Sequence, residues 1–461
     1  MSLLTPPRPA VPALALLGDD VRVPVLGGGS RRSVDLDAAA TTPVSRAVQR
    51  AVEDHLPWYS SVHRGAGAKS RWTSERYDAA RETVRAFVGA DAATHHVVFP
   101  RGTTEALNLL AHRLRLAPDD VVVSTAAEHH ANLLPWRRYA RVRLVDVAPD
   151  GTFGVEDVVR ALEEAPRPRV LAVTGASNVT GWVPPLAAIA AQARRRGVLV
   201  VVDGAQLVPH RPVDMATTGI DVLAFSGHKM FAPYGAGALV VPRAVLDEGE
   251  PFLVGGGAVA AVGDDDVVWA EAPARDEAGT PNVLGVVALA AAVEERVALG
   301  WDAVLAHEAD LRAAIDAAVA AVAAVVPGVR RLGPTDADRL PVAALAVDGV
   351  PHGLLAARLA DEHAVSVRSG CFCAHPLMAR LLRLTPEEVA RVRDDARAGR
   401  ADALPGAVRV SAHAATSLAD VETLAGALRE VLTTPERGAR WEPDGRGGFV
   451  PRAGRDPRGP R

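Results

Sequence analysis

Only two of the 51 basic residues in this chain are lysines, Lys69 and Lys229. Arginine can replace lysine on a solvated surface, but it cannot lose its proton and attack a carbonyl. Each lysine is therefore a candidate for amine chemistry. Lys229 closes the stretch Ser-Gly-His-Lys (226–229), directly after the apolar run VLAF (222–225). The second candidate is the cysteine pair. Cys371 and Cys373 are the chain's only thiols, one residue apart and close to Arg368. A thiolate there is a nucleophile; free cysteines are also often small buried hydrophobes in a turn. Two thiols are too few for a structural zinc site without several outside ligands, so no metal is expected. They are also too few for a disulfide-stapled secreted protein.

Other polar residues follow apolar runs in the same way. VVF (97–99) leads into PRGTTEALN, VVVS (121–124) into TAAEHHANLLPW, and VLAVT (170–174) into GASNVTG. VLVVV ends at Asp203, with Gln206 three residues on. Together with VRLVDV (142–147) and ALVV (238–241), these runs make seven. Runs so apolar read as strands buried on both faces of a mainly parallel sheet. Helical patterns lie between them, such as Leu107, Leu110, Ala111 and Leu114 on one face. This is an α/β, doubly wound architecture. In such sheets ligands sit beyond the carboxyl ends of the strands. Thr103, Thr104, His129, Asn178, Asp203, Gln206, Ser226, His228 and Lys229 are all delivered to that edge.

The set fits one cofactor, pyridoxal 5′-phosphate (PLP). Gly102, Thr103 and Thr104 open a helix, and a helix N-terminus with hydroxyls suits phosphate. Ser226 and His228 extend that cradle. Asp203 suits a protonated pyridine nitrogen. Gln206 is placed to donate to the phenolic oxygen and His129 to stack on the ring. Lys229 supplies the amine for a Schiff base. Taken singly, Asp203 is also a strand-end cap, His129 a loop residue, and the two threonines N-caps. Their joint placement favours the cofactor.

The rest of the chain must hold this edge together. Its 461 residues are enough for two domains. Residues 1–30 read as an irregular Pro/Gly-rich leader, and 31–285 as the large domain with the seven-stranded sheet. Residues 286–435 read as a smaller C-terminal α+β domain carrying the cysteine loop. Its expected elements are helices near 283–299 and 302–325, strands near 342–347, 365–368 and 407–411, and a last helix near 418–432. The tail 436–461 is rich in Pro, Gly and Arg and reads as largely disordered after Trp441. The net charge is −4 with both signs interspersed, which favours neither nucleic acid nor a membrane surface as partner. No apolar run is long enough to span a bilayer. The N-terminus lacks a basic region before its apolar patch. A cytoplasmic protein is expected.

At this point the sequence resembles the class V, fold-type I PLP-dependent transferases, and among them the cysteine desulfurases and selenocysteine lyases. The stretches that carry the resemblance include LDAAATTPVS (36–45), SVHRGAG (61–67), VDGAQLVPHRPVDM (202–215), FSGHKMFAPYGAGAL (225–239), AGTPNVLG (278–285) and VRSGCFCAHPLM (367–378). They span most of the chain, from about 36 to 415. The resemblance implies a homodimer with shared sites, in which Thr280 reaches the neighbour's phosphate and His63 approaches across the interface. It implies that Arg368 and Arg409 grip the substrate carboxylate, a task suited to a planar fork. It implies Cys373 as the nucleophile, conversion of L-cysteine to L-alanine, and a persulfide passed to an acceptor protein. Arg368, His375 and His129 are placed to lower the thiol pKa.

The match is uneven at three places. Gly-Cys-Phe-Cys replaces the two histidines that precede the nucleophile in the desulfurase pattern, and is similar to the loop of molybdenum-cofactor sulfurases. Cys371 is therefore open as a resolving thiol, a second carrier or the nucleophile. A second histidine is missing after His63-Arg64-Gly65, and Lys69 nearby has no assigned role. Ala415 and Thr416 stand where a Tyr-Asn pair is usual. The alternative activity is another class V reaction on a different amino acid, by a selenocysteine lyase, C–S lyase, epimerase or aminotransferase. A non-catalytic carrier is disfavoured by the intact Lys229, Asp203 and Gln206 set.

Overall fold

The computed structural model describes residues 14–400, 404–434 and 441–452. All seven apolar runs form strands of one sheet: β1 (His95–Val98), β2 (Val121–Thr125), β3 (Arg141–Val145), β4 (Pro168–Thr174), β5 (Leu199–Asp203), β6 (Val222–Ser226) and β7 (Gly237–Pro242). Their order is β1-β7-β6-β5-β4-β2-β3. Strands β6, β5, β4, β2 and β3 pair in parallel, and β7 runs antiparallel to both β6 and β1.

The β-branched composition has a direct cause in this layering. Successive side chains of a strand point to opposite faces. Val122, Val201, Ala224 and Leu239 enter one core with Leu107 and Leu110 of the helix Thr103–Arg113. Val123, Val202, Leu223 and Phe225 enter the opposite core with Ile189, Leu289 and Val293. Both faces are covered, so neither can be polar. Truncating Phe225, which is fully buried, would cost about 3–5 kcal/mol through lost transfer energy and the cavity left behind.

A second sheet follows, with strands β8 (Val329–Leu332), β9 (Val342–Val347), β10 (Arg368–Gly370) and β11 (Ala407–Ser411). It is antiparallel, in the order β8-β9-β11-β10. Helices Trp301–Ala323, His352–His363 and Leu418–Thr433 pack on it through Leu311, Leu359, Leu424 and Leu428. The preceding helix Val283–Leu299 packs through Ala288, Leu289, Ala292 and Val293 on the core of the first sheet. The chain thus changes layers at Gly300.

Three local expectations are corrected. The strand expected near 365–368 is two pieces: Val365–Ser366 pairs in parallel with Val34–Asp35, and β10 starts at Arg368 on β11. The extended segment near Val34 supplies the partner that divides it. Within the leader, Arg22–Pro24 pairs with Ser30–Arg32 as a hairpin that turns through Gly27, Gly28 and Gly29, all at positive φ. The tail is not disordered throughout after Trp441: Trp441–Pro443 pairs with Phe449–Pro451. Burial of Trp441 anchors that hairpin, and Asp444 Oδ1 accepts from the N–H groups of Arg446 and Gly448. The remaining expectations for 1–13, 435–440 and 453–461 fall outside the described residues. Among the described residues, no helix is long and apolar enough to cross a membrane.

Candidate active site

Five strand ends of the large sheet open into one cleft of about 280 Å³. Thr103, Thr104, His129, Asn178, Asp203, Gln206, Ser226, His228 and Lys229 line it, joined from the second layer by Arg368, Cys373 and Arg409. His63 and Thr280 do not. They line a separate cleft of about 1030 Å³ with Arg81 and Glu277. His63 there lies 3.2 Å, Nε2 to Oδ1, from Asp78. Lys69 is exposed on the first turn of the helix Ala68–Phe87 and lines neither cleft.

One end of the cleft is built for an anion. Gly102 precedes the helix Thr103–Arg113, and the Thr103 N–H donates to Ser226 Oγ at 2.9 Å. The two hydroxyls of this pair are 2.8 Å apart. A Cβ on Gly102 would stand 3.1 Å from Ser226 Oγ, so glycine keeps this space open. A helix N-terminus with two hydroxyls and no side chain in the way suits a phosphate.

Lys229 lies on the 3₁₀ turn Gly227–Lys229 that β6 feeds. The segment 41–42 fixes that turn from outside: the Thr41 and Thr42 hydroxyls each donate to the His228 carbonyl at 3.1 Å. The Lys229 amine is pushed down to about 8, chiefly by burial; Asp203 opposes this and Arg409 adds to it. A buried ammonium is costly, so the neutral amine is accessible near neutral pH. Asp203 is itself pushed up by burial, against the N–H of Ala205 that it accepts at 3.0 Å. Gln206 donates its amide to the Ala39 carbonyl at 2.7 Å.

His129 is held neutral. Burial, Lys229 and Arg409 push it down to about 4. Its Nδ1 accepts from the Ala131 N–H at 3.1 Å, which leaves the proton on Nε2. The turn that presents it is anchored by Glu128, fully buried behind it. Glu128 accepts from the Thr125 hydroxyl at 2.6 Å, the Thr174 N–H at 2.9 Å and the Asn132 amide at 2.7 Å. Burial pushes this carboxyl up to about 8 despite those donors.

Arg409 and Arg368 sit side by side on β11 and β10. Arg409 is buried, donates to Asp37 Oδ1 at 2.8 Å and to the Asn178 carbonyl at 3.0 Å, and keeps an unpartnered Nε. Arg368 is more exposed and lies 3.7 Å from the other Asp37 oxygen. Asp37 thus aligns both guanidinium groups. A carboxylate meeting them finds two planar donors with their spare N–H groups in one cleft.

Cys371, Phe372, Cys373 and Ala374 form a tight turn. The Ala374 N–H donates to the Cys371 carbonyl at 3.0 Å, and Phe372 and Cys373 both have positive φ, 55° and 54°. Two non-glycine residues in that region are strained. The large domain pins the turn: the Asn178 amide donates to the Phe372 carbonyl and the His130 N–H to the Cys373 carbonyl, each at 2.8 Å. Cys373 is exposed on the cleft wall. His375, expected to serve the nucleophile, instead places Nε2 3.1 Å from Cys371 Sγ.

Asp37, Glu128 and His130 are the residues that the sequence reading did not single out. Asp37 lies inside the quoted LDAAATTPVS stretch, and the other two inside AAEHHANLLPW, but no local pattern marked their roles. Among the described residues, no group of three or more His, Cys, Asp or Glu is placed to hold a metal ion.

The family model of the class-V aminotransferases matches residues 34–424. The cysteine desulfurase of Escherichia coli is 37% identical over 355 residues, covering 75% of this chain and 85% of that protein. The Klebsiella pneumoniae cysteine desulfurase is 38% identical over 358 residues, covering 75% and 86%. Among solved structures, the apo cysteine desulfurase of Thermococcus onnurineus superposes with a TM-score of 0.75 at 31% identity, covering 87% of this chain and 94% of that one. The chain belongs to the class-V aminotransferase family.

Proposed function

We propose that the protein is a PLP-dependent cysteine desulfurase that converts L-cysteine to L-alanine and retains the sulfur as a persulfide on Cys373. One observation carries this reading: Lys229, Asp203, Arg409 and Cys373 line a single cleft. The residues fit the cofactor. Gly102, Thr103, Thr104, Ser226 and His228 would hold its phosphate, Asp203 its ring nitrogen, Gln206 its phenolic oxygen, and His129 its ring face. When bound, PLP supplies an electron sink for the charge left as a substrate Cα–H bond breaks.

The chain's own residues supply the rest. Arg368 and Arg409 orient the substrate carboxylate, and the Asn178 backbone carbonyl accepts from Arg409. The Lys229 amine takes the Cα proton and returns it. The Cys373 thiolate attacks the substrate sulfur. An S–S bond forms, the C–S bond breaks, and the carbon left behind gains a proton to give alanine. A homodimer suits the separate placement of His63 and Thr280, which would serve a neighbouring subunit's cleft. The persulfide would then pass to an acceptor protein.

The test is to incubate PLP-loaded protein with L-cysteine and measure alanine and the mass of each thiol. The expected result is one alanine formed for each sulfur atom gained on Cys373, and loss of both in Cys373→Ser. Full turnover by a Cys371→Ser/Cys373→Ser double variant would overturn the proposal and point to a different class V reaction.

A further inference from the structure

The unused thiol, Cys371, is the best-equipped group outside the proposed reaction. It does not line the cleft that Cys373 lines, and packs partly buried beside Phe372 and Leu377. Burial pushes its thiol up from the ordinary range, so it needs a base to react. One is present. His375 Nε2 lies 3.1 Å from Cys371 Sγ, and His375 Nδ1 lies 3.0 Å from His130 Nε2. The proton positions follow from the hydrogen bonds. His130 Nε2 also accepts from the His375 backbone N–H, so it carries no proton. The ring contact then requires the proton on His375 Nδ1. That leaves His375 Nε2 as a bare acceptor facing the thiol. Both rings are held below the ordinary histidine value, chiefly by burial, and stay neutral acceptors. They stack at 4.8 Å with an angle of 2° between planes, which fixes the orientation.

The backbone supplies the second half of the argument. Positive φ at both central residues, with the Ala374 N–H on the Cys371 carbonyl, is a type I′ turn. Glycine, asparagine and aspartate are the usual residues there. Here Phe372 and Cys373 hold it, pinned by Asn178 and His130. Phe372 thus has the mirror-image helical conformation. Residues two apart across one such turn have Cα atoms about 5.4 Å apart, from a radius of about 2.3 Å and a rise of about 1.5 Å per residue. Disulfides span roughly 4.4–6.8 Å between Cα atoms. A turn of this geometry thus brings the two Cα atoms within the span a disulfide covers.

We propose that Cys371 is a resolving thiol that discharges the Cys373 persulfide by closing a Cys371–Cys373 disulfide. This rests on the persulfide of the proposed function. His375 takes the Cys371 proton and passes it to solvent. The Cys371 thiolate attacks the sulfur atom that belongs to Cys373. A bond forms between the two cysteine sulfurs, the bond to the transferred sulfur breaks, and hydrosulfide leaves with the electron pair. Cys371 is oxidised from thiolate to disulfide, the sulfur of Cys373 keeps the oxidation level it had in the persulfide, and the transferred sulfur is reduced to hydrosulfide, so no outside oxidant is required. A dithiol reductant reopens the ring. A disulfide in so short a loop is strained and readily reduced, as regulatory disulfides are. The device releases sulfur as sulfide when no acceptor arrives and blocks the nucleophile until a dithiol restores it.

The test uses PLP-loaded protein and one equivalent of L-cysteine per active site, so that no free thiol remains after turnover to attack the persulfide. Free thiols are then capped with iodoacetamide, and the peptide Ser369–Arg380, which contains both cysteines, is weighed. The expected product has lost two hydrogens and takes up no cap, and sulfide appears in equal amount. Cys371→Ser holds the extra sulfur on Cys373 and releases no sulfide. His375→Gln slows ring closure about a hundredfold, the low end for a positioned base. If the native protein keeps its persulfide and a cappable Cys371 as long as Cys371→Ser does, the inference fails while the desulfurase reading stands. A parallel arm loads Cys373 directly with inorganic tetrasulfide. Ring closure there, with no alanine from L-cysteine, would instead sink the desulfurase reading and keep the resolving thiol. Absence of closure in that arm overturns the inference outright.

Discussion

Asp37 Oδ1 accepts a hydrogen bond from Arg409 Nη2 at 2.8 Å. Arg409 is 2% exposed, and its guanidinium also meets the Asn178 carbonyl and the face of Phe372. Removing one partner of a buried ion pair costs more than the pair itself contributes, because the other charge stays behind. Asp37→Asn keeps the shape and removes the charge. It is expected to lower stability by about 3 kcal/mol, read as an earlier midpoint in urea with an unchanged slope. An unchanged midpoint would mean that Arg409 is satisfied without Asp37.

Lys229 makes a second prediction accessible because the chain has only one other lysine. Carbon-13 reductive methylation of cofactor-free protein should give two dimethyl-lysine signals, assignable with Lys69→Arg. The Lys229 signal is expected to titrate near 8, against about 10.4 for a free lysine. The sign for stability follows. Between those values the unfolded chain binds more protons than the folded one, so this group makes stability rise with pH across that window. A Lys229 signal that titrates at the free value would remove the argument that burial primes the amine.

Glu128 acts in the opposite sense. Its folded value, raised to about 8, lies above the unfolded one near 4.3. The folded state binds the extra proton in between. That contribution is complete below the unfolded value and is lost as pH rises through about 8. Glu128→Gln cannot titrate and should flatten this part of the stability profile between pH 5 and 8. Glu128→Ala leaves the Thr125, Asn132 and Thr174 donors unpaired in the core and should cost about 2–4 kcal/mol. Denaturant melts at several pH values test both.

The contrast between legible and hidden parts has a physical origin. The seven strands can be read because burial on both faces demands continuous apolar runs, and β-branched residues mark them. The cleft residues that the large sheet supplies, from Thr103 to Lys229, can be read because each lies just past such a run. Arg368, Cys373 and Arg409 come from the second layer and are marked by the family resemblance, Cys373 also as one of the chain's only two thiols. Asp37 cannot: its partner Arg409 is 372 positions away, and its segment takes its place only by pairing with Val365–Ser366 and Ser411. Glu128 cannot, because its significance is complete burial, and one acidic residue in a polar loop reads as solvated. His130 and His375 meet across 245 positions. The hairpin at Trp441 was hidden by a Pro- and Gly-rich composition that outweighed one buried indole.

Gly102 gives a prediction about the anion end of the cleft. Its φ of 161° is extended backbone, so alanine is tolerated there without strain. The added methyl, however, would press to 3.1 Å from Ser226 Oγ, the atom that accepts from Thr103. Gly102→Ala should fold with an unchanged melting temperature when free of cofactor. Its affinity for PLP should fall about tenfold, a loss of about 1.4 kcal/mol, in a titration followed by absorbance. Equal affinity would place the phosphate elsewhere.

Asn178 separates two functions of one residue. Its side-chain amide donates to the Phe372 carbonyl, and its backbone carbonyl accepts from Arg409. Asn178→Ala removes the first bond and keeps the second. The strained turn that carries Cys373 then loses one of its two ties to the large sheet, while the arginine pair keeps its alignment. A net hydrogen bond contributes about 1 kcal/mol, and a freed carbonyl in a buried site somewhat more. Persulfide formation in a single turnover should therefore slow about tenfold. Binding of a carboxylate analogue of the substrate should change little. Rapid quench followed by mass spectrometry reads the first quantity, and equilibrium titration reads the second. The opposite pattern, weak binding with a normal rate of persulfide formation, would assign Asn178 to the substrate and leave the turn held by His130 alone.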